Sequence, residues 1–248
     1  MNALIKTLTL TLAAWFLVGC ATVEQRNPKD PLESYNRTMF MVNSGVDQMV
    51  FKPLAKGYVA IVPEPVRDCV GGVFDNLKLP FSALNNLLQG KPKAACEDIA
   101  RFMVNSTLGL GGCFDVATKL DMPASKKEDF GQTLAVWGVP SGPYIVLPLI
   151  GPSTLRDAAA QFTPVISGGG VDRNVIANDV HHVPTRNSAL GLNLINTRAD
   201  LLPATNALEK MTVDQYAFVR DGYLRRRMNQ IYDGNPPDED DEKPAKKP

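Results

Sequence analysis

Apolar residues in this chain recur at three- and four-residue spacing, and a proline or glycine cuts each run off after a few turns. Nineteen prolines and nineteen glycines among 248 residues supply the interruptions, so the fold must be assembled from short helices and many turns. Asp30-Pro31 offers an N-cap and a first-turn proline, after which Leu32, Tyr35, Met39, Val42, Val46 and Met49 share one helical face. Val66, Val70, Val73, Phe74 and Leu77 predict a second helix, ended by Pro80. Phe81, Leu84, Leu87 and Leu88 predict a short third one, up to Gly90. A fourth carries Ala95, Ile99, Phe102, Met103 and Ser106, and stops at Gly109-Leu110-Gly111-Gly112. Leu190, Leu194, Thr197 and Leu201 continue the helical period before Pro203. Thr212-x-x-Gln215 reads as a capping box opening a last helix through Tyr216, Val219, Tyr223 and Ile231. No two alternating runs joined by a tight turn are present, so the expected class is mainly α, in a single domain.

One stretch departs from that period. Pro143 to Ile150 is eight apolar residues between Gly142 and Gly151, and Pro148 excludes a regular helix and disfavours a central strand. It reads either as an extended buried segment crossing the core or as a segment lining a lipid passage.

The two ends differ in kind from the body. Residues 1–19 hold one charge, Lys6, then an uncharged run from Thr7 to Val18. That run is shorter than the roughly 20 residues a membrane-spanning helix needs, so it reads as a signal peptide. Leu17-Val18-Gly19-Cys20 resembles the bacterial lipobox, in which the Cys20 thiol is acylated and the chain cleaved before it. The competing reading is an ordinary secretory signal with a chance cysteine. Residues 20–29 form a lipidated tether, 30–232 the folded body, and 233–248 a tail. The tail carries six acids, three lysines and four prolines without a large apolar residue, and is expected to be disordered. Beyond residue 19 no run is long and apolar enough for a second span. Twenty-six Lys and Arg balance twenty-six Asp and Glu, which excludes a strongly basic nucleic-acid binder.

Catalytic and metal patterns are missing. Gly151-Pro152-Ser153-Thr154-Leu155 starts like a nucleophile elbow, but Leu155 stands where the second glycine belongs, and Ser153 reads better as a helix N-cap. His181-His182 are adjacent and precede Val183-Pro184, a poor metal pair, and Ser167-Gly168-Gly169-Gly170 lacks the lysine of a phosphate loop. No enzyme activity, metal or cofactor is expected. With Cys20 acylated, Cys69, Cys96 and Cys113 remain, enough for one bridge. If the helices near 66–77, 81–89 and 92–108 run up, down and up, Cys69 and Cys96 share one end, making Cys69–Cys96 the expected bridge and Cys69–Cys113 the alternative. Arg225-Arg226-Arg227 reads as a solvated helix terminus or as a contact for head-group phosphates or an acidic partner.

Several segments together resemble the VacJ/MlaA family of outer-membrane lipoproteins. Asp30-Pro31-Leu32-Glu33-x-Tyr35-Asn36-Arg37, Val62-Pro63-Glu64-Pro65-Val66-Arg67 and Asn86-Leu87-Leu88-Gln89-Gly90 open the match. Glu128 to Leu134, Ser141 to Tyr144, Gly151 to Asp157, Thr197-Arg198-Ala199, Tyr216, Arg220 and Tyr223 extend it over roughly 30–230. The resemblance implies a ring of short amphipathic helices in the inner leaflet of the outer membrane, with an amphipathic channel through it. It implies removal of misplaced phospholipid from the outer leaflet, association with a trimeric porin and transfer to a soluble periplasmic carrier. It further implies that Phe130, Trp137, Gly138, Gly142, Pro143, Tyr144, Ile145, Val146 and Leu147 border the lipid path. Pro140, where relatives often carry glycine, fixes φ in the loop before that segment. A structural lipoprotein bridging porins and a lipid-modifying enzyme are the alternatives.

Overall fold

The protein's structure is a computed structural model, and it describes residues 30–161, 183–211 and 213–237. The leader, Cys20, the tether, Ser167 to Gly170, His181-His182, Thr212 and the tail from residue 238 lie outside the described residues. Helix α1 (Glu33–Val46) runs through a π-helical turn, Asp47–Phe51, into α2 (Lys52–Ile61). Pro31 and Leu32 form a turn rather than the expected first helical turn, and Asp30 is not a side-chain cap. Its buried carboxylate instead accepts from Asn36 Nδ2 at 2.9 Å and from the Tyr216 hydroxyl.

The two helices expected on either side of Pro80 are one, α3 (Glu64–Leu88). A proline inside a helix removes one backbone bond and costs about 3 kcal/mol or more, and packing along α4 (Pro92–Thr107) offsets that here. The turn after Leu88 is tight, so α3 and α4 are antiparallel neighbours. Polar side chains zip them together. Asn86 Nδ2 and Ser82 Oγ donate to Asp98 Oδ2 at 3.0 and 2.6 Å, and Asn76 Nδ2 donates to Ser106 Oγ at 2.9 Å. Each step back along α3 thus meets a step forward along α4, and the same register carried past Ser106 reaches Cys113 opposite Cys69. The disulfide is Cys69–Cys113, with Cα atoms 4.0 Å apart, and Cys96 is free and exposed. The expected Cys69–Cys96 bridge is wrong because it required a third helix that does not exist. Close approach completes the pair, since a Cβ on Gly72 would stand 2.4 Å from the Gly112 carbonyl oxygen.

After the short α5 (Val116–Lys119) and α6 (Phe130–Val136), the apolar stretch forms a hairpin that sequence patterning missed. Strand β1 (Tyr144–Leu147) pairs antiparallel with β2 (Gly151–Thr154), Leu147 opposite Gly151. Pro148 sits in the loop, not in a strand, and Leu149 and Gly151 take positive φ. The free backbone of β1 is satisfied by side chains of α1. Asn36 donates to the Tyr144 carbonyl at 3.0 Å and accepts from Val146 N–H at 2.8 Å. Asn43, two turns on, donates to the Leu147 carbonyl at 2.9 Å and accepts from Leu149 N–H at 2.8 Å. The two amides stand in for a third strand, closing an edge that would otherwise be left open.

Helix α7 (Leu155–Gln161) follows at once. Thr154, not Ser153, caps it, accepting from Asp157 N–H at 3.2 Å. Helix α8 (Val183–Asp200) packs on α2 and α3, and its Arg198 grips Asp47 in the π-helical turn through bonds of 2.6 and 2.7 Å. Helix α9 (Leu202–Glu209) leads to α10 (Gln215–Ile231), whose cap is Asp214, accepting from Ala217 N–H at 3.2 Å, in place of the expected Thr212 capping box. Mainly α is therefore correct, with one hairpin added. No helix among the described residues is long and apolar enough to cross a membrane.

Candidate functional site

Residues from positions 129, 157 and 227 meet where α6, α7, the hairpin and α10 converge. Asp129 caps α6, accepting from Gln132 N–H at 2.9 Å, and its oxygens also receive Arg227 Nη1 and Nη2 at 2.5 and 2.7 Å. Arg227 turns its other edge to Asp157, with Nε and Nη2 at 2.9 and 3.1 Å. Tyr223 donates to Asp157 Oδ2 at 2.8 Å, and Arg156 Nε reaches Asp157 Oδ1 at 3.1 Å. Burial alone would raise the Asp157 carboxyl, but Arg227, Arg156 and the Tyr223 hydroxyl together outweigh it and hold the group below the usual carboxylate range. Burial likewise disfavours the Arg227 charge, and the two carboxylates more than reverse that, so it stays protonated. Glycine is required beside them, because a Cβ at Gly131 would lie 2.4 Å from Arg227 Nη2 and 2.5 Å from Asp157 Oδ1. The earlier readings of Arg227 both fail: it is 9% exposed and wholly engaged.

A cavity of about 370 Å³ opens on this junction. Tyr223, Arg226, Arg227 and Gln230 line one side from a single stripe of α10, and Phe130, Ile150, Pro152 and Ala160 supply apolar wall. Of the nine residues assigned to a lipid path by resemblance, Phe130 alone lines this cavity. Trp137 is exposed beside it, its ring edge-on to Phe130 at 6.2 Å and its Nε1–H donating to the Leu88 carbonyl at 3.0 Å. Gly138 and Gly142 are exposed with φ of 86° and 65°, bending the loop that carries Pro140. The hairpin splits the rest by strand alternation. Tyr144 and Val146 are buried against Tyr216, whereas Pro143, Ile145 and Leu147 are half-buried. Asp129, Asp157 and Tyr223 were visible as motif residues, but nothing in their spacing joins them to Arg227.

Polarity across the whole body is inverted. Among the described residues, buried polar and charged side chains outnumber buried apolar ones, and more than half of the latter are alanine. Asn36, Asn85, Asn86, Asp98, Gln132 and Thr133 are almost fully enclosed. Large apolar residues face outward instead, including Met41 (65%), Met49 (73%), Ile61 (82%), Met103 (61%) and Leu110 (70%). Water is a poor solvent for such a surface and lipid a good one, whereas buried amides must find internal partners. Along α3 and α4 the donors of Asn76, Ser82 and Asn86 find such partners in Ser106 and Asp98. Ser153, the residue of the incomplete elbow, is fully buried and donates to the Thr154 carbonyl at 3.2 Å. No group of metal-binding side chains is present among the described residues.

Comparison with known proteins agrees with this chemistry. The intermembrane phospholipid transport system lipoprotein MlaA of Escherichia coli strain K12 is 35% identical over 88% of this chain and 85% of its own length. The protein of the same description from Haemophilus influenzae is 33% identical over 92% and 90%. A solved structure described as the structural basis for maintenance of bacterial outer membrane lipid asymmetry superposes with a TM-score of 0.67, at 32% identity, over 83% of this chain and 99% of that one. The model of the MlaA lipoprotein family matches residues 28–230, from just before Asp30 to the end of α10. On the sequence matched and the fold shared, this chain belongs to the MlaA lipoprotein family.

Proposed function

We propose that this protein is an outer-membrane lipoprotein that takes mislocalised phospholipid from the outer leaflet, passes it through an amphipathic channel within a ring of short helices and hands it to a soluble periplasmic carrier. Cys20 is its acyl anchor, and a trimeric porin is its neighbour in the membrane. The observation that carries the reading is the inverted polarity, with methionine, leucine and isoleucine outside and amides and charges inside. Half a hydrocarbon core is roughly 15 Å, the length of a helix of about ten residues, and α2 has ten, with Leu54, Val59 and Ile61 exposed. Such helices suit one leaflet. Similarity to phospholipid-transport lipoproteins supports the substrate class. The predicted signal peptide, tether and acidic tail at 1–19, 20–29 and 233–248 fit an anchored periplasm-facing protein, although Asp233 itself is tied to the body by Lys91 at 2.8 Å.

Organic extraction of the purified protein, followed by mass spectrometry, tests the reading. Stoichiometric intact phospholipid is expected. Lysolipid would indicate a lipid-modifying enzyme, and no lipid at all a structural bridge between porins. Cys20→Ser is expected to leave an uncleaved or mislocalised precursor. A mature, acylated mutant in the outer membrane would remove the anchor from the proposal.

A further inference from the structure

The cavity beside Arg227 is lined by two carboxylates and two guanidiniums, and among the described residues one of the guanidiniums is left unpaired. Its two carboxylates are already engaged: Asp129 holds both Nη atoms of Arg227, and Asp157 receives Arg227, Arg156 and Tyr223. Arg226 lines the same cavity, is exposed, and has no ion pair among the described residues. It stands one residue before Arg227 and four before Gln230, so its side chain shares the stripe that faces the opening. Opposite lie Phe130, Ile150 and Pro152. An unpaired guanidinium on one wall and apolar surface on the other match a ligand that is anionic at one end and hydrocarbon at the other. A small inorganic anion would use the first wall and leave the second without a role.

We infer that this cavity is a binding site for the phosphodiester of an anionic amphiphile, with Arg226 as the residue that contacts the phosphate and Gln230 as a second donor. The inference rests on the phospholipid-transport reading and adds to it a place where the head group is held. A guanidinium offers a planar fork that pairs with two phosphate oxygens at once, which lysine cannot reproduce. Arg227, by contrast, positions the wall and does not touch the ligand.

Binding of dihexanoyl phosphatidylglycerol, below its micellar concentration, to the purified full-length protein tests this by calorimetry. Arg226→Gln is expected to weaken binding about tenfold or more, the scale of one charge-assisted contact, and to reduce its salt dependence. Arg226→Lys should recover part of the loss, and Arg225→Gln, on the neighbouring exposed position, should leave affinity unchanged. Equal affinity in wild type and Arg226→Gln, with unchanged circular dichroism, would overturn the site while leaving transport intact. Equal losses in Arg225→Gln and Arg226→Gln would reduce it to general surface charge and overturn it too. Inorganic phosphate binding as tightly as the lipid would assign a free anion, and dihexanoylglycerol binding as tightly would assign apolar contact alone; either result rejects the amphiphile. A wild-type protein that binds none of the three probes would overturn the site, while the transport reading is decided separately by the phospholipid that co-purifies.

Discussion

The α3–α4 pair and the junction around Arg227 are both held by buried polar groups, yet they are built on opposite plans. The pair uses amides, hydroxyls and one carboxylate supplied by two helices adjacent in sequence. The junction uses full charges brought from positions 129, 157 and 227. Local contacts close a short loop and can form early, whereas the junction waits for most of the chain to be in place. The pair ends sealed, with a disulfide at one end. The junction ends open, beside a cavity. A scaffold and a site are thus distinguishable by how far apart in sequence their polar partners lie.

Removing Arg227 should have the largest effect. Arg227→Ala leaves the buried Asp157 and the half-buried Asp129 without their shared cation and is expected to cost about 3–5 kcal/mol in urea unfolding of the detergent-solubilised protein. A loss below about 1 kcal/mol would show that water reaches both carboxylates and that the junction is no more sealed than a surface pair. The next effect belongs to the scaffold. Cys69→Ser should cost about 2–4 kcal/mol by freeing the loop between the helices, while Cys96→Ser should stay within about 0.5 kcal/mol. Peptide mapping under non-reducing conditions checks the pairing, and a bridge to Cys96 would undo the antiparallel register described for α3 and α4.

How much of this was legible in the sequence also separates the two regions. Helical periodicity located α1, α4 and α10, but the apolar stripes it marked largely face outward: Val42, Met49, Val66, Ile99 and Met103 are exposed, while Asn36, Asp98, Arg101 and Asn105 are buried. It failed at Pro80, where tertiary packing overrides a local break. It failed again at the hairpin, whose strands carry no clear polar alternation. Tyr144 and Val146 face the core, but Ile145 and Leu147 between them are also apolar. The disulfide was misassigned through the same Pro80 error. Arg227 could not be read at all, since a basic run at a helix end looks alike whether its partners are water or two distant aspartates.

The docking of the hairpin offers a graded test inside the junction. Asn36 is fully buried and serves Asp30 and two backbone groups of β1, so Asn36→Ala should cost about 2–3 kcal/mol. Asn43 does the same for the partly exposed tip, and Asn43→Ala should cost about 1 kcal/mol while raising hydrogen exchange at Leu149 N–H. Equal costs would mean that the tip is as firmly held as the base of β1.

Acid titration gives the smallest effect and sets the two regions against each other. Asp157 lies below its usual value of 3.8, so its stabilisation is present above that pH and is lost as pH falls through its folded value. Glu128, packed on the end of the α3–α4 pair, behaves oppositely. Burial pushes its carboxyl above 4.5, even though Gln89 at 2.9 Å and Lys91 at 3.3 Å favour the charge. A group raised in the folded state favours folding below its unfolded value, and that contribution is lost as pH rises through the folded one. Glu128→Gln removes the charge while keeping the shape, so variant and wild type should agree in unfolding free energy at pH 4.5 and below. At neutral pH the variant should be the more stable, by about 1 kcal/mol or less. If Glu128→Gln is instead the less stable at neutral pH, the Lys91 ion pair outweighs burial, and the scaffold depends on charge in the same way as the junction.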